Sequence, residues 1–411
     1  MRVLHLTPEF PPVIWGGLGT AVGGLVTASA RAGMTVGVLL VGGALVVGDE
    51  AQAGGYGSGW RPAWFRDGEE PGAATSPEGI RFFQVSPEGA VRAALRLARR
   101  WRPDVVHLHS AWLWPAARAL QERAGVPVVF TVHSLDRAEY EIGQFITSWD
   151  VQDTVIHAAD RLISLSRSEV DLLLHYCPEV ADRIRIVGNG IDDVPLPHRE
   201  PCAGEPPVVL YSGRFVDRKG IRELLAAIPV VMEAAPETRF VLVGGYGGGA
   251  EVERCWMDEV LRPWRDRIHF TGWLTPARVA AWYRAADVLL VPSWYEPFGM
   301  VVLEGMLHGL AIVACTVGGP AEILESERTA LLIAPQDAPA LAAAILRLVQ
   351  DADLRRRLAA EAAEEVRRRW LWPRIVERMA AVYGEVVAPA PRSHPSHVHA
   401  ASPKVRELDG R

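Results

Sequence analysis

The strongest constraint on this chain is a repeated alternation. Short apolar, β-branched runs are followed again and again by stretches with helical spacing, the pattern of βαβ units and of parallel sheets covered by helices. In the first half the predicted strands are Val3–Leu6, Thr35–Val41, Val105–His109, Val128–His133, Arg161–Leu165 and Ile184–Val187. Helical stretches such as Gly19–Ala32 and Val91–Trp101 separate them. The ladder breaks at "DDVPLPHREPCAGEPP", Asp192 to Pro207, where proline, glycine and charge mark a linker. It restarts at Val208–Ser212 and runs through Arg239–Gly244, Ile268–Thr271, Val288–Val291, Ala311–Ala314 and Ala330–Ile333. A chain of 411 residues is too long for one core. The expectation is therefore an α/β protein of two Rossmann-like, doubly wound parallel-sheet domains facing a central cleft. Residues 1–195 form the first domain, completed by a C-terminal helix 373–387; residues 196–371 form the second; 388–411 is a disordered tail. The segment Asp49–Glu78, rich in glycine, proline and acid, also reads as poorly folded.

Composition narrows the function classes. Hydrophobic residues make up 49% and charged residues 22%, the balance of a globular chain in water. A net charge of -6 argues against nucleic acid as a partner. The longest apolar run, Met34 to Val47, is too short and glycine-rich to span a bilayer, and Met1–Leu6 reads as a strand rather than a signal peptide. A cytoplasmic location is expected. Cys177, Cys202, Cys255 and Cys315 show no CxxC or Cys/His spacing, so no zinc site is expected. Lysine is scarce: only Lys219 and Lys404 occur, against 41 arginines. A lysine inside the folded part hints at a compact point charge on a flexible stem, which arginine supplies poorly.

Three constellations carry chemistry. In "PEFPPVIWGGLGTAVGGL", Pro8 to Leu25, glycines let the backbone approach a ligand at a helix N-terminus; the other reading is a tight turn with close helix packing. A nicotinamide site is disfavoured, because strand two ends "VLLVGG" without an acid. In "YSGRFVDRKGI", Tyr211 to Ile221, Arg214 and Lys219 flank a turn at a strand's carboxyl end, where two cations suit a diphosphate leaving group; a solvated basic turn is the alternative. The third is "WYEPFGMVVLEGMLHG", Trp294 to Gly309. Glu296 falls in the loop after strand Val288–Val291, and Glu304 one turn into the helix Met300–His308. Gly299, Met300 and Val301 then offer first-turn backbone donors to an anion, while the two carboxylates can accept from vicinal hydroxyls. A helix cap with a buried salt bridge is the plainer reading. "VGGPAEIL", Val317 to Leu324, adds a glycine turn with Glu322 near a helix start. His109 and His133 both end strands and should face the cleft. The lone DxD, Asp351 to Asp353, reads as a helix cap rather than a metal site. No metal is expected.

"EPFGMVVLE" is similar to the E-x7-E motif of the retaining glycosyltransferases of family 4, which have the GT-B fold. "VGNGID", "GRFVDRKG", "VLVGGYG" and "GWL" fall in that family's order, and "EFPPVIWGGLG" resembles the glycine loop of the wider group that includes glycogen and starch synthases. The resemblance covers about Met1 to Val387. It implies a nucleotide-sugar donor and no other cofactor. It implies that Arg214 and Lys219 bind the donor diphosphate, that Glu304 holds the ribose hydroxyls and that Glu296 holds the transferred sugar. Gly299, Met300 and Val301 would offer backbone donors, His133 would touch the sugar near the reacting carbon, and Gly17 would meet the diphosphate from the first domain. Trp273 and Leu274, in "GWL", would belong to the donor site. Glycogen and starch synthases carry a lysine two residues before the glycine pair; Ile14 stands there in this chain, which argues against glucan synthesis.

The reading is transfer of a sugar to a hydroxyl acceptor: a small molecule, a sugar or a natural product. The alternatives are a nucleotide-sugar epimerase of the same fold, for which no acid/base pair is evident, and a glycosyltransferase acting on a glucan or a lipid-linked acceptor. Trp60, Trp64, Trp112 and Trp114 are candidate stacking surfaces for the acceptor. The basic segment "VRAALRLARRWR", Val91 to Arg102, is a candidate peripheral membrane face.

Overall fold

The computed structural model describes residues 1–11, 16–42, 73–144, 146, 149–193, 205–246 and 251–387. The first sheet comprises β1 (Arg2–Thr7), β2 (Thr35–Val41), β3 (Ala73–Thr75), β4 (Arg81–Val85), β5 (Val105–Leu108), β6 (Val128–Val132), β7 (Arg161–Ser164) and β8 (Ile184–Ile186), in the order β3-β4-β2-β1-β5-β6-β7-β8. The second comprises β9 (Val208–Ser212), β10 (Arg239–Val243), β11 (Ile268–Gly272), β12 (Val288–Val291), β13 (Ala311–Cys315) and β14 (Leu331–Ile333), in the order β11-β10-β9-β12-β13-β14. Central strands such as β5, β6 and β12 are buried along their whole length, as strands covered on both faces must be.

Two strands were not foreseen. β4 pairs parallel with β2, and β3 pairs antiparallel with β4 at the sheet edge. β3 lies inside Asp49–Glu78, so part of that segment is ordered; residues 43–72 and the tail 388–411 lie outside the described residues, as do 194–204 of the linker. "RFFQV" is too short and mixed to announce a strand by alternation. It is recruited because Ile80 and Phe82 bury against Val22, Val26, Val36 and Val38.

Both sheets reverse winding direction once, between β1 and β5 and between β9 and β12. At such a reversal the loops leaving neighbouring strands diverge and leave a crevice at the carboxyl ends, the usual ligand position. The helix Gly17–Arg31 follows β1, and the loops 213–220 and 292–299 follow β9 and β12. Sheet topology therefore brings the loops 213–220 and 292–299 together and sets the glycine helix start at the corresponding edge of the first sheet.

The last helix, Trp372–Val387, crosses back to the first domain. It packs on Gly17–Arg31, and Gly24 is required because a Cβ there would enter the Trp372 indole. Tyr383 is fully buried and its hydroxyl lies 2.7 Å from His107 Nδ1. The two chain crossings between domains are bonded to each other: the Ile191 amide donates to the Trp370 carbonyl (2.8 Å), and the Trp372 amide to the Ile191 carbonyl (3.1 Å).

Backbone packing is close beneath the loop 292–299. Gly318 has φ +50°, and a Cβ there would collide with the Glu296 carbonyl. Gly319 donates its amide to that same carbonyl at 2.9 Å. Replacing Gly318 by alanine is expected to cost more than ~1 kcal/mol, because both the left-handed backbone and the close approach are lost. A urea midpoint unchanged from the parent protein would contradict this.

Candidate active site

The site grows from the crevice between β9 and β12. The turn after β9 carries Arg214, exposed toward solvent, and Lys219, mostly enclosed. The Lys219 ammonium donates to Glu296 Oε2 in a very close ion pair. Burial pulls the ammonium below its usual pKa, while the Glu296 carboxylate opposes that pull. Removing one partner of such a pair strands the other charge away from water, a cost of roughly 3–5 kcal/mol. The pair thus ties the two loops together and leaves a cation and a carboxylate side by side.

Directly after Glu296, Gly299 turns the chain with φ +92° and opens the helix Met300–Leu307. No side chain caps this helix start and no acid lies in its first turn, so its amides and the positive end of its dipole are left for an anion. The start of Gly17–Arg31 in the first domain shares both properties. The two starts meet: a Cβ on Gly17 would lie 3.9 Å from Met300 Cγ. Gly17, Lys219, Glu296, Gly299, Met300 and Val301, singled out separately in the sequence, therefore converge on one locus.

Glu304 lies one turn deeper. It accepts a hydrogen bond from the Tyr283 hydroxyl (2.7 Å), and burial raises its carboxyl pKa above the usual value although that bond works the other way. Tyr283 stacks on His308 with ring centroids 4.9 Å apart. Trp273 is exposed beside Gly245 of the turn after β10, whereas Leu274 packs against the apolar core and has only its backbone to offer a ligand.

His109 and His133 line one small recess with Gly188 and Asn189. His109 is buried, its ring bonded on both sides: Nε2 lies 3.0 Å from His5 Nδ1 and Nδ1 lies 3.1 Å from His133 Nε2. His133 is half-buried. Of the tryptophans, Trp114 is core, Trp112 is exposed beside Gly42, and Trp60 and Trp64 lie outside the described residues. Asp351 caps the helix Ala352–Arg369 by accepting from the Leu354 amide at 2.9 Å, as its spacing predicts.

Several site-bordering residues were missed or misplaced by sequence reasoning, all of them at the domain boundary. The Tyr295 hydroxyl accepts from the Leu135 amide (2.9 Å) and donates to Glu169 (3.1 Å), both in the first domain. Glu322 does not serve its own helix. Its carboxylate accepts from the amides of Arg167 and Ser168 (2.9 and 2.8 Å), which open a first-domain helix. Arg218 pairs with Glu139 at 3.4 Å, both buried. Burial lifts the Glu169 carboxyl to about 7, and the bond from Tyr295 moderates the rise.

A hydroxyl-accepting Glu304 must be ionised. If it holds donor hydroxyls, donor KM should rise as pH falls through its raised pKa and stay flat in Glu304→Gln. Initial-rate kinetics against pH decide the point, and an acidic limb of KM that persists in the glutamine variant would assign the titration elsewhere.

A model described as "Glycosyltransferase Family 4" matches residues 15–194, and one described as "Glycosyl transferases group 1" matches 206–351. The chain is 31% identical to glycogen synthase of Mycobacterium tuberculosis, covering 93% of this chain and 94% of that one. It is 29% identical to α-maltose-1-phosphate synthase of Mycolicibacterium smegmatis, covering 94% and 100%. The solved structure of sucrose-phosphate synthase from Thermosynechococcus elongatus superposes with a TM-score of 0.75 at 26% identity, covering 94% of this chain and 99% of that one.

Proposed function

The chain belongs to glycosyltransferase family 4 and is a nucleotide-sugar glycosyltransferase, and we propose that it transfers the sugar with retention of configuration to a hydroxyl of a sugar or sugar-phosphate acceptor, using no metal and no cofactor besides its donor. The observation that carries this reading is the pair of uncapped helix starts, at Gly17 and Met300, with Lys219 and Glu296 beside them. Two dipoles and a cation address one anion, which suits a diphosphate whose charge grows as the glycosidic bond breaks. Metal-bound carboxylates are not needed for that charge. In the proposed step the bond from the anomeric carbon to the diphosphate oxygen breaks, and the acceptor oxygen attacks from the same face. The acceptor proton passes to the leaving phosphate oxygen, so no enzyme nucleophile is consumed. Glu296, held by Lys219, accepts from the sugar hydroxyls; Glu304 accepts from the ribose; Trp273 borders the base. The relatives' names, which speak of glycogen, maltose phosphate and sucrose phosphate, support a sugar-type acceptor.

A lipid-linked acceptor has one observation in its favour. The helix Ala90–Arg100 buries Ala93, Ala94 and Leu97 and exposes Arg92, Arg96 and Arg99 along one side. Among the described residues no helix is long and apolar enough to cross a membrane. Flotation with anionic vesicles separates the readings, binding favouring the lipid.

A panel of nucleotide sugars should contain at least one that raises the thermal midpoint and turns over with a hydroxyl acceptor. The product anomer should match the donor's, by NMR, and EDTA should leave the rate unchanged. Inversion of configuration would overturn the mechanism. Arg214→Ala and Lys219→Ala should lower kcat by on the order of 10²-fold, the scale of losing one charge-stabilising group, while Glu304→Ala should act mainly on donor KM. A normal kcat in the lysine variant would remove it from the diphosphate site.

A further inference from the structure

Beneath the crevice of the first sheet lies a row of imidazoles. His5 on β1 and His107 on β5 are register partners on neighbouring strands, and His109 follows two residues later on the same face. His107 is anchored on both nitrogens, by the Tyr383 hydroxyl (2.7 Å) and the Thr131 hydroxyl (2.6 Å). The other three form an end-to-end chain. His5 Nδ1 meets His109 Nε2 at 3.0 Å, and His109 Nδ1 meets His133 Nε2 at 3.1 Å.

Both links join an Nδ1 to an Nε2, so the chain has a direction. A neutral imidazole carries one N–H and one bare nitrogen. Each link needs one donor and one acceptor, so all three rings must share a tautomer: every Nδ1 protonated, or every Nε2. The closed end decides between them. His5 Nε2 is fully buried and has no partner among the described residues. With Nε2 tautomers that atom would be an orphaned N–H, the costlier of the two vacancies; with Nδ1 tautomers it is only an unused acceptor. Nor does a second proton intervene near neutrality. Burial pushes His5 down to about 3 and His133 to about 4, and burial with the neighbouring imidazoles holds His107 and His109 well below the usual range.

We propose that His5 and His109 are positioning residues that fix His133 as its Nδ1–H tautomer, so that His133 meets the bound sugar as a hydrogen-bond donor aimed at an oxygen rather than as a base. The proposal deepens the reading above, on which His133 touches the transferred sugar. A donor at that point stabilises oxygen lone pairs near the breaking bond and cannot accept the acceptor's proton, which is consistent with a step that sends this proton to phosphate. A metal in the cluster would have to compete with these bonds. Ring nitrogens of His5, His107 and His109 lie within 4.8 Å of one another, but both of those on His107 are already engaged.

Two-bond ¹⁵N–¹H spectra of the full chain labelled with ¹⁵N-histidine test the assignment without any substrate. Single-histidine variants supply the resonance assignments. His5, His109 and His133 should all show the Nδ1–H pattern at pH 7, and His5→Phe should return His133 to a mixture containing Nε2–H. The same variant should lower kcat about tenfold, the scale of one misdirected hydrogen bond, with donor KM within about twofold. His5→Asn, whose amide N–H can stand where Nδ1–H stood, should restore both tautomer and rate. An Nε2–H pattern at His133 in the parent protein, a His133 tautomer unmoved by His5→Phe, or Zn²⁺ shifting the His5, His107 and His109 signals together would each overturn the proposal. Failure of every nucleotide sugar to turn over would instead defeat the functional reading and leave the tautomer result standing.

Discussion

Backbone amides at helix starts must be paired, and at Gly17 and Met300 no side chain among the described residues pairs them. Much of the site's anatomy follows from that vacancy. A serine or aspartate cap would fill the space an anion needs, so glycine stands at both cap positions, and at Gly299 it also supplies the left-handed turn. The exposed positive dipoles repel cations and favour a negatively charged guest. They favour the Glu296 carboxylate, which in turn lets the Lys219 ammonium stay close to them, and the loop carrying Glu296 can be so tight because Gly318 and Gly319 let the next turn approach its carbonyls.

The fold was largely legible because its signal is periodic. Buried parallel strands such as Val288–Val291 and Thr35–Val41 read as unbroken apolar runs, and their limits agree with those expected. The edge escaped because β3 and β4 are short and lack a pattern; β4 is defined by what covers Ile80 and Phe82. The positions of Arg214, Lys219, Glu296 and Glu304 in the fold were legible for a different reason: they sit at fixed offsets from strand ends, and strand ends are what apolar runs reveal best.

Contacts across the boundary were not legible, since they depend on how two domains sit against each other. Tyr295 stands beside Glu296 in sequence, yet only the assembled structure turns its hydroxyl to Leu135 and Glu169. Glu322 looked like a helix-start acid for its own domain and serves instead as the cap of a helix in the other. The histidine row was hidden likewise. "VVHLHS" places two imidazoles on one face, but only sheet pairing sets His5 beside them. The contacts across the boundary and the Lys219–Glu296 pair lie one residue apart in sequence, because Tyr295 and Arg218 are chain neighbours of Glu296 and Lys219.

The mutual bonding of the two crossings bears on how the halves can move. Two independent tethers would let the second domain slide, twist and swing. Here Ile191 and Leu371 run side by side as a short parallel bridge, with Phe298 and Trp370 packed against neighbouring Gly188. Sliding one crossing past the other would break that bridge, whereas rotation about it keeps both bonds. At this bridge rotation is therefore opposed less than sliding, and Phe298, packed against Gly188, belongs to the carboxylate loop, two residues from Glu296.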